Sequence, residues 1–293
     1  MITVCIPTTG RTKFLSKTLE SVSRAATDGI SIIVLDNSGS DRLPFDTLTK
    51  HGLTGQIVSS TKILSMAENW NRALILAKTP WVHILHDDDW IDPNFYEAFL
   101  TDLKNSKEAS MWLCGSRDYY VESNQYFETH LSSGLFKDTQ SICDIFLATT
   151  SSRCPAVILN REMAMKAGAF DEKLSHFLDI DLFLRISFFG GLQCNSTILA
   201  NYRVYSASAS GVNESNKTIS SVESLKQISD IRCIIKDKTK SYTRTKQFCS
   251  FARAIEFGTF RYLVRRHQYF RAIKVLLIYC IWVPLRVRIA TSS

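Results

Sequence analysis

The segment Trp81-Val82-His83-Ile84-Leu85-His86-Asp87-Asp88-Asp89 joins a short apolar run to three consecutive carboxylates. Its composition predicts a buried β-strand over 81–86, with the aspartates at the carboxyl end and His83 as a hydrogen-bonded core residue. Adjacent carboxylates repel one another, and a bound cation would offset that repulsion. Because oxygen ligands suit Mg²⁺ or Mn²⁺, the segment predicts a metal site at the end of a strand.

The sequence on either side alternates between β-rich and helical patterns. A helix is expected to start at Asp92-Pro93, with Asp92 as its N-cap. The order predicts a doubly wound α/β fold with a mostly parallel sheet and flanking helices. The expected strands are 2–6, 30–35 and 55–59, and the expected helices are 12–25, 45–51 and 66–78.

Polar residues follow the ends of three predicted strands. They are Thr8-Thr9-Gly10-Arg11, Asp36-Asn37 and Asp87–Asp89. Ligands of doubly wound sheets bind beyond the carboxyl ends of the strands, so these segments predict the binding site. The chain has no GxxxxGK[ST] or GxGxxG loop, so a bridging metal is the expected way to hold a diphosphate.

Charge divides the chain of 293 residues, whose net charge is +7. Residues 1–210 carry 19 Lys and Arg against 23 Asp and Glu, whereas 211–293 carry 16 against 5. We therefore expect a catalytic domain over 1–210 and a basic helical region over 211–293. Eight scattered cysteines without a CxxC pair, and no basic leader at the N-terminus, indicate a cytoplasmic protein.

Residues 261–288 combine basic and aromatic side chains with an apolar run over 275–285. Those 11 residues are fewer than the roughly 20 that cross a bilayer. The pattern is typical of a helix in a membrane interface, which would place the protein on the inner face of the plasma membrane. A helix docked on the catalytic domain is the alternative. Nucleic acid is not an expected partner, because no zinc module or RNP-like motif is present.

Seven ordered motifs over about residues 2–210 resemble family 2 glycosyltransferases of the GT-A fold, of the bacterial surface-polysaccharide type. They are Ile6–Arg11, Val34–Ser38, Asn69–Ala73, Leu85–Trp90, Gly168–Glu172, Asp179–Arg185 and Tyr202–Tyr205. The resemblance implies an inverting transferase that uses a UDP-, GDP- or dTDP-sugar. The implied acceptor is a hydroxyl of a glycan or glycolipid, such as a lipid-linked glycan in cell-surface polysaccharide biosynthesis.

The resemblance also implies residue roles on the nucleotide side of the site. These residues are Thr8, Thr9, Arg11, Asp36, Asn71, Arg72 and Asp87. The implied metal motif fits two frames: starting at His86 it selects Asp88, and starting at Asp87 it selects Asp89. Spacing to Pro93 favours Asp88 first and Asp89 second.

Asp179 is the implied base, which would take the proton of the acceptor hydroxyl. Asp181 is its rival, and its other role would be that of a carboxylate at a helix N-terminus. The family usually has a second acid where this chain has Leu178, and many relatives have His where it has Tyr205. A non-catalytic sugar-nucleotide-binding or scaffold protein therefore stays open. A sugar nucleotidyltransferase is the other alternative, although Thr8–Arg11 is shorter than the Gly-rich loop that such enzymes normally have after the first strand.

Overall fold

A computed structural model describes residues 1–10, 12–39, 43–138, 141–142, 145, 153–174, 178–206 and 208. The chain forms a compact unit from Met1 to Tyr205. Arg11 and the segment 261–288 lie outside the described residues, so the roles expected of them stay predictions. No helix among the described residues is long and apolar enough to cross a membrane.

The described residues of this unit include ten strands and five α-helices whose bounds are defined. The strands are β1 Ile2–Thr8, β2 Ile30–Asp36, β3 Gln56–Ser59, β4 Trp81–Ile84, β5 Trp90–Ile91, β6 Met111–Tyr120, β7 Gln125–Thr129, β8 Gly134–Phe136, β9 Val157–Asn160 and β10 Leu192–Val204. The helices are α1 Thr12–Ala25, α2 Met66–Leu76, α3 Phe95–Asn105, α4 Arg161–Lys166 and α5 Leu178–Gly190.

The strands form one mixed sheet in the order β3-β2-β1-β4-β9-β6-β10-β5. The first four are parallel, as the alternating pattern predicts. The second half is mainly antiparallel, because β9 runs against both of its neighbours, β4 and β6. A further hairpin strand, β7, pairs with β6. The expected α/β sheet with flanking helices is confirmed, but the sheet is mixed rather than mostly parallel. Among the described strands four pairings are parallel and five are antiparallel, because the strands after β4 reverse direction at β9 and form hairpins.

The core lies between this sheet and its helices. All seven residues of β1 are buried, as expected for a central parallel strand. Helix α2 begins with a capping box, in which Ser65 accepts from the Glu68 amide while the Glu68 carboxylate accepts from Ser65. His83 is buried and contacts Tyr96 Oη and Pro155 O at 3.0 Å each. The prediction of a hydrogen-bonded core histidine is thus confirmed, and burial lowers the pKa of His83 to about 3.

Two local predictions were wrong. The helix expected over 45–51 is a turn followed by a single 3-10 helix, Thr49–His51. The helix expected to start at Asp92 begins at Phe95 instead. The Asp92 carboxylate accepts a hydrogen bond from Asn201 Nδ2 at 3.0 Å. It therefore connects the segment before α3 to β10 and does not cap the helix.

Candidate active site

The parallel half of the sheet brings three predicted segments to one edge. Strand β1 lies between β2 and β4, and Thr8 is in register with Asp36. The Thr8 hydroxyl donates to Oδ2 of Asp87 at 2.6 Å. Thr9 is exposed beside them. Neighbouring strand ends thus converge, as the topology requires.

Asp36 is buried and accepts hydrogen bonds from three residues of its own chain. Ser38 donates through its amide (3.0 Å) and its hydroxyl (2.6 Å). The Leu43 amide (3.2 Å) and the Ser59 hydroxyl (3.0 Å) donate to the other oxygen. Burial would raise the pKa of Asp36, but these hydrogen bonds outweigh it and lower the pKa. The carboxylate orders the loop after β2, and its contact with a nucleotide stays a prediction.

Arg72 and Asn71 are neighbours on α2 with different surroundings. Arg72 donates to Asn69 Oδ1 and Val58 O at 3.0 and 2.9 Å, and its charge interacts with that of Asp36. Asn71 instead accepts from the Phe170 amide (2.9 Å) and donates to the Phe170 carbonyl (3.0 Å). Asn71 therefore holds the segment that precedes α5 against α2.

His86, Asp88 and Asp89 bring three potential metal ligands together. Their ligand atoms all lie within 4.8 Å of one another. Within the described part of the chain, His86 Nε2 is a buried atom that makes no hydrogen bond, and Asp89 Oδ2 makes none beyond its 3.5 Å contact with His86 Nδ1. Buried polar atoms normally have partners, so this donor set fits a divalent cation. Both expected metal residues belong to the group, whereas Asp87 is bonded to Thr8.

Burial, His86 and Arg203 together determine the electrostatics of Asp88 and Asp89. Burial raises the pKa of Asp89 to about 6, and the Asp88 charge adds to that rise. His86 Nδ1 lies 3.5 Å from Asp89 Oδ2 and partly opposes the rise. The Arg203 amide donates to Asp89 Oδ1 at 2.9 Å, and its Nε donates to the Asp88 carbonyl at 2.7 Å.

The sequence predicts no role for Arg203, although it lies in the motif Tyr202–Tyr205. Its guanidinium carbon lies 4.3 Å from the Phe14 ring centroid and 4.7 Å from that of Trp90. Burial lowers the pKa of Arg203, while the charges of Asp89 and Asp88 raise it. An interaction between a strand-end cation and two distant rings has no signature in the sequence.

Asp179 lies at the start of α5, half-buried. Burial raises its pKa, while the Ile180 amide, at 2.9 Å from Oδ1, and the charges of His86 and Arg153 lower it. The predicted base thus lies within electrostatic reach of the metal-binding group. Asp181, its rival, accepts from Arg185 Nε at 3.0 Å.

The Arg185 guanidinium continues from Asp181 to the turn before α5. It donates to the carbonyls of Ala167 and Ala169. The Asp181 carboxylate therefore orients an arginine that secures this turn. Asp179 is better placed than Asp181 to act as a base, and that role stays a prediction.

A model of the family described as "Glycosyl transferase family 2" matches residues 3–165. An uncharacterized glycosyltransferase of Haemophilus influenzae is 21% identical over 186 residues, covering 64% of this chain and 62% of that protein. The chain therefore spans less than two thirds of the length of this relative.

Solved structures of S. aureus TarS share the fold. TarS 1-349 in complex with UDP-GlcNAc has a TM-score of 0.65 at 14% identity, covering 95% of this chain and 80% of that one. The complex with UDP has a TM-score of 0.57 at 16% identity, covering 76% and 64%. These likenesses confirm the α/β architecture expected for a GT-A fold.

Proposed function

The chain belongs to glycosyl transferase family 2, and from this we propose that it transfers a sugar from a nucleoside diphosphate sugar to an acceptor hydroxyl with inversion. One observation carries the proposal. The metal-binding group His86, Asp88 and Asp89 lies at the end of a buried strand, and Asp179 interacts electrostatically with His86 from a separate helix. The proposed leaving-group site and the proposed proton acceptor are thus close enough for their charges to interact, which supports the proposal.

In the proposed reaction, the Asp179 carboxylate accepts the proton of the acceptor hydroxyl. The hydroxyl oxygen donates an electron pair to the anomeric carbon while the bond from that carbon to the diphosphate oxygen breaks. Attack opposite the departing nucleotide inverts the anomeric centre. A divalent cation at Asp88 and Asp89, Mn²⁺ or Mg²⁺, would supply positive charge beside the diphosphate.

Burial gives Asp179 a useful basicity. A carboxylate with a raised pKa binds a proton more readily than an exposed one, yet the charges of His86 and Arg153 still favour its ionised form. Arg153 is itself held by Asp118, through Nε to Oδ1 at 2.9 Å. These surroundings favour Asp179 as a general base.

The finer parts of the proposal concern the substrates and the place of action. A UDP-sugar is the first donor to test, because TarS structures contain UDP and UDP-GlcNAc. We propose a glycan or glycolipid acceptor, with the basic segment 261–288 associating with the inner face of the plasma membrane during surface-polysaccharide synthesis.

The test measures nucleotide release from UDP-, GDP-, dTDP- and CMP-sugars, with Mn²⁺ and with EDTA. Wild type, Asp179→Asn and Glu162→Gln are compared, because Glu162 is an exposed carboxylate on α4 that controls for charge removal. We expect one donor to be hydrolysed, with loss of activity in EDTA and in Asp179→Asn only. Binding of a donor without turnover, also with glycan acceptors, would indicate a non-catalytic protein. Failure to bind any donor would refute the proposal.

A further inference from the structure

The β6–β7 hairpin carries aromatic side chains on both of its faces. Paired residues of neighbouring strands point to the same side of a sheet. Tyr119 pairs with Tyr126 and with Arg203, so these three lie on one face, near the metal-binding group. Asp118 pairs with Phe127 and Tyr202, which places those three on the opposite face.

The Asp118 face carries both aromatic and polar groups. The rings of Tyr120 and Phe127 lie 5.3 Å apart at 79°. The Phe127 side chain is 58% exposed, although the hairpin around it is regular. Further in, the Arg153 guanidinium lies 4.6 Å from the Tyr202 ring centroid and pairs with Asp118.

This surface shares one residue, Arg153, with the surroundings of the proposed base. Arg153 contacts Asp118 and Tyr202 on the Asp118 face. Its charge also interacts with that of Asp179. An acceptor must present its hydroxyl to Asp179, so the remainder of the acceptor has to extend over a neighbouring surface. The Asp118 face is such a surface.

We propose that the Tyr120–Phe127 pair, with Asp118 at its inner edge, is an acceptor subsite that binds a pyranose ring. A pyranose has a face of C–H groups, which pack on the negative face of an aromatic ring, and a rim of hydroxyls, which hydrogen-bond to carboxylate and guanidinium groups. An acyl chain would leave the Asp118–Arg153 pair desolvated without new partners, so a lipid tail is the poorer fit. This inference rests on the proposed transferase function.

The chain contains a matched control. Tyr126 precedes Phe127 on the same strand, is similarly exposed (53%) and also packs on one tyrosine, but lies on the opposite face. Saturation-transfer NMR is run on the full chain with methyl glycosides of glucose, galactose, mannose, N-acetylglucosamine and rhamnose. Wild type, Phe127→Ala and Tyr126→Ala are compared, and a melting curve of each variant reports whether the fold is intact.

We expect at least one pyranoside to receive saturation at its C–H protons in wild type and in Tyr126→Ala. Phe127→Ala should raise the Kd for that pyranoside about fivefold, because it removes one aromatic contact. The inference is overturned if wild type saturates no pyranoside, or if the two variants weaken binding equally.

Nucleotide release from donor sugars, measured on the same wild-type preparation, separates this inference from the proposed function. Donor turnover without Phe127-dependent binding would overturn the subsite and leave the transferase function standing. Phe127-dependent binding without any donor binding would refute the transferase function and leave a glycan-binding surface.

Discussion

The Tyr205 hydroxyl donates a hydrogen bond of 2.8 Å to Oδ2 of Asp88, across 117 residues of sequence. The Tyr205 ring packs on Phe14 at a centroid distance of 5.1 Å, which fixes its direction. The family resemblance implies a histidine at the position where this chain has Tyr205. Position 205 can therefore reach the metal-binding group, and here it supplies a phenol.

Replacing Tyr205 by His should strengthen Mn²⁺ binding about tenfold, because an imidazole at this position adds a nitrogen ligand. Titration calorimetry of the full chain with MnCl₂ measures the change. Tyr205→Phe keeps the ring contact with Phe14 and should change the affinity less than about twofold. A marked loss in Tyr205→Phe would mean that the phenol itself supports the cation.

Metal affinity should depend on the ionisation of Asp89. Its pKa in the folded protein is about 6, against 3.8 for an ordinary aspartate. The cation binds the ionised form, so its affinity should fall roughly tenfold per pH unit below that value. Calorimetry at several pH values measures the slope, and Asp89→Asn should flatten it.

The same shift predicts how the metal-free protein responds to pH. A group with a raised folded pKa contributes stability below its unfolded pKa and loses it as pH rises through the folded pKa. Because of Asp89, the stability of the metal-free protein should therefore fall as the pH rises from about 4 to about 6. Added Mn²⁺ should raise the melting temperature more at pH 7.5 than at pH 5. An equal rise at both would contradict this assignment.

Asp179 and Asp181 should separate catalysis from stability. Asp179→Asn removes the proton acceptor and should lower turnover about 10²–10⁴-fold with little change in melting temperature. Asp181→Asn weakens the ion pair with Arg185 and should cost about 2 kcal/mol of unfolding free energy. Urea titration and steady-state rates measure both effects. The opposite pattern would make Asp181 the base.

Asn71 should act through Phe170 rather than through the nucleotide. Asn71→Ala removes two hydrogen bonds to the Phe170 backbone and should cost about 1–3 kcal/mol of unfolding free energy. Donor affinity, measured by calorimetry with a UDP-sugar, should change little. Arg72→Gln is the comparison, since Arg72 lies beside Asp36 and should weaken donor binding. A stable Asn71→Ala variant with tenfold weaker donor binding would restore the nucleotide role.

Local patterns predicted the regular parts of the fold well, and failed where a distant residue competes for a side chain. Helix α1 and strands β2 and β3 lie within a residue or two of their expected bounds, because burial on fixed faces follows the sequence period. Asp92 has the composition of an N-cap, but Asn201 of β10 takes its carboxylate. Such competition depends on which strands become neighbours.

The sequence by itself determined the α/β class, the acidic strand end at Asp87–Asp89 and the family resemblance. Hydrophobic periodicity and short motifs are properties of neighbouring residues, so they can be recognised without knowledge of the three-dimensional structure. The tertiary structure decided which partner each aspartate has. Thr8 donates a hydrogen bond to Asp87, Tyr205 and Arg203 donate to Asp88, and His86 contacts Asp89. Apart from the local Asp89–His86 pair, these contacts join residues that are far apart in sequence, and their geometry exists only once β1, β4 and β10 lie in one sheet.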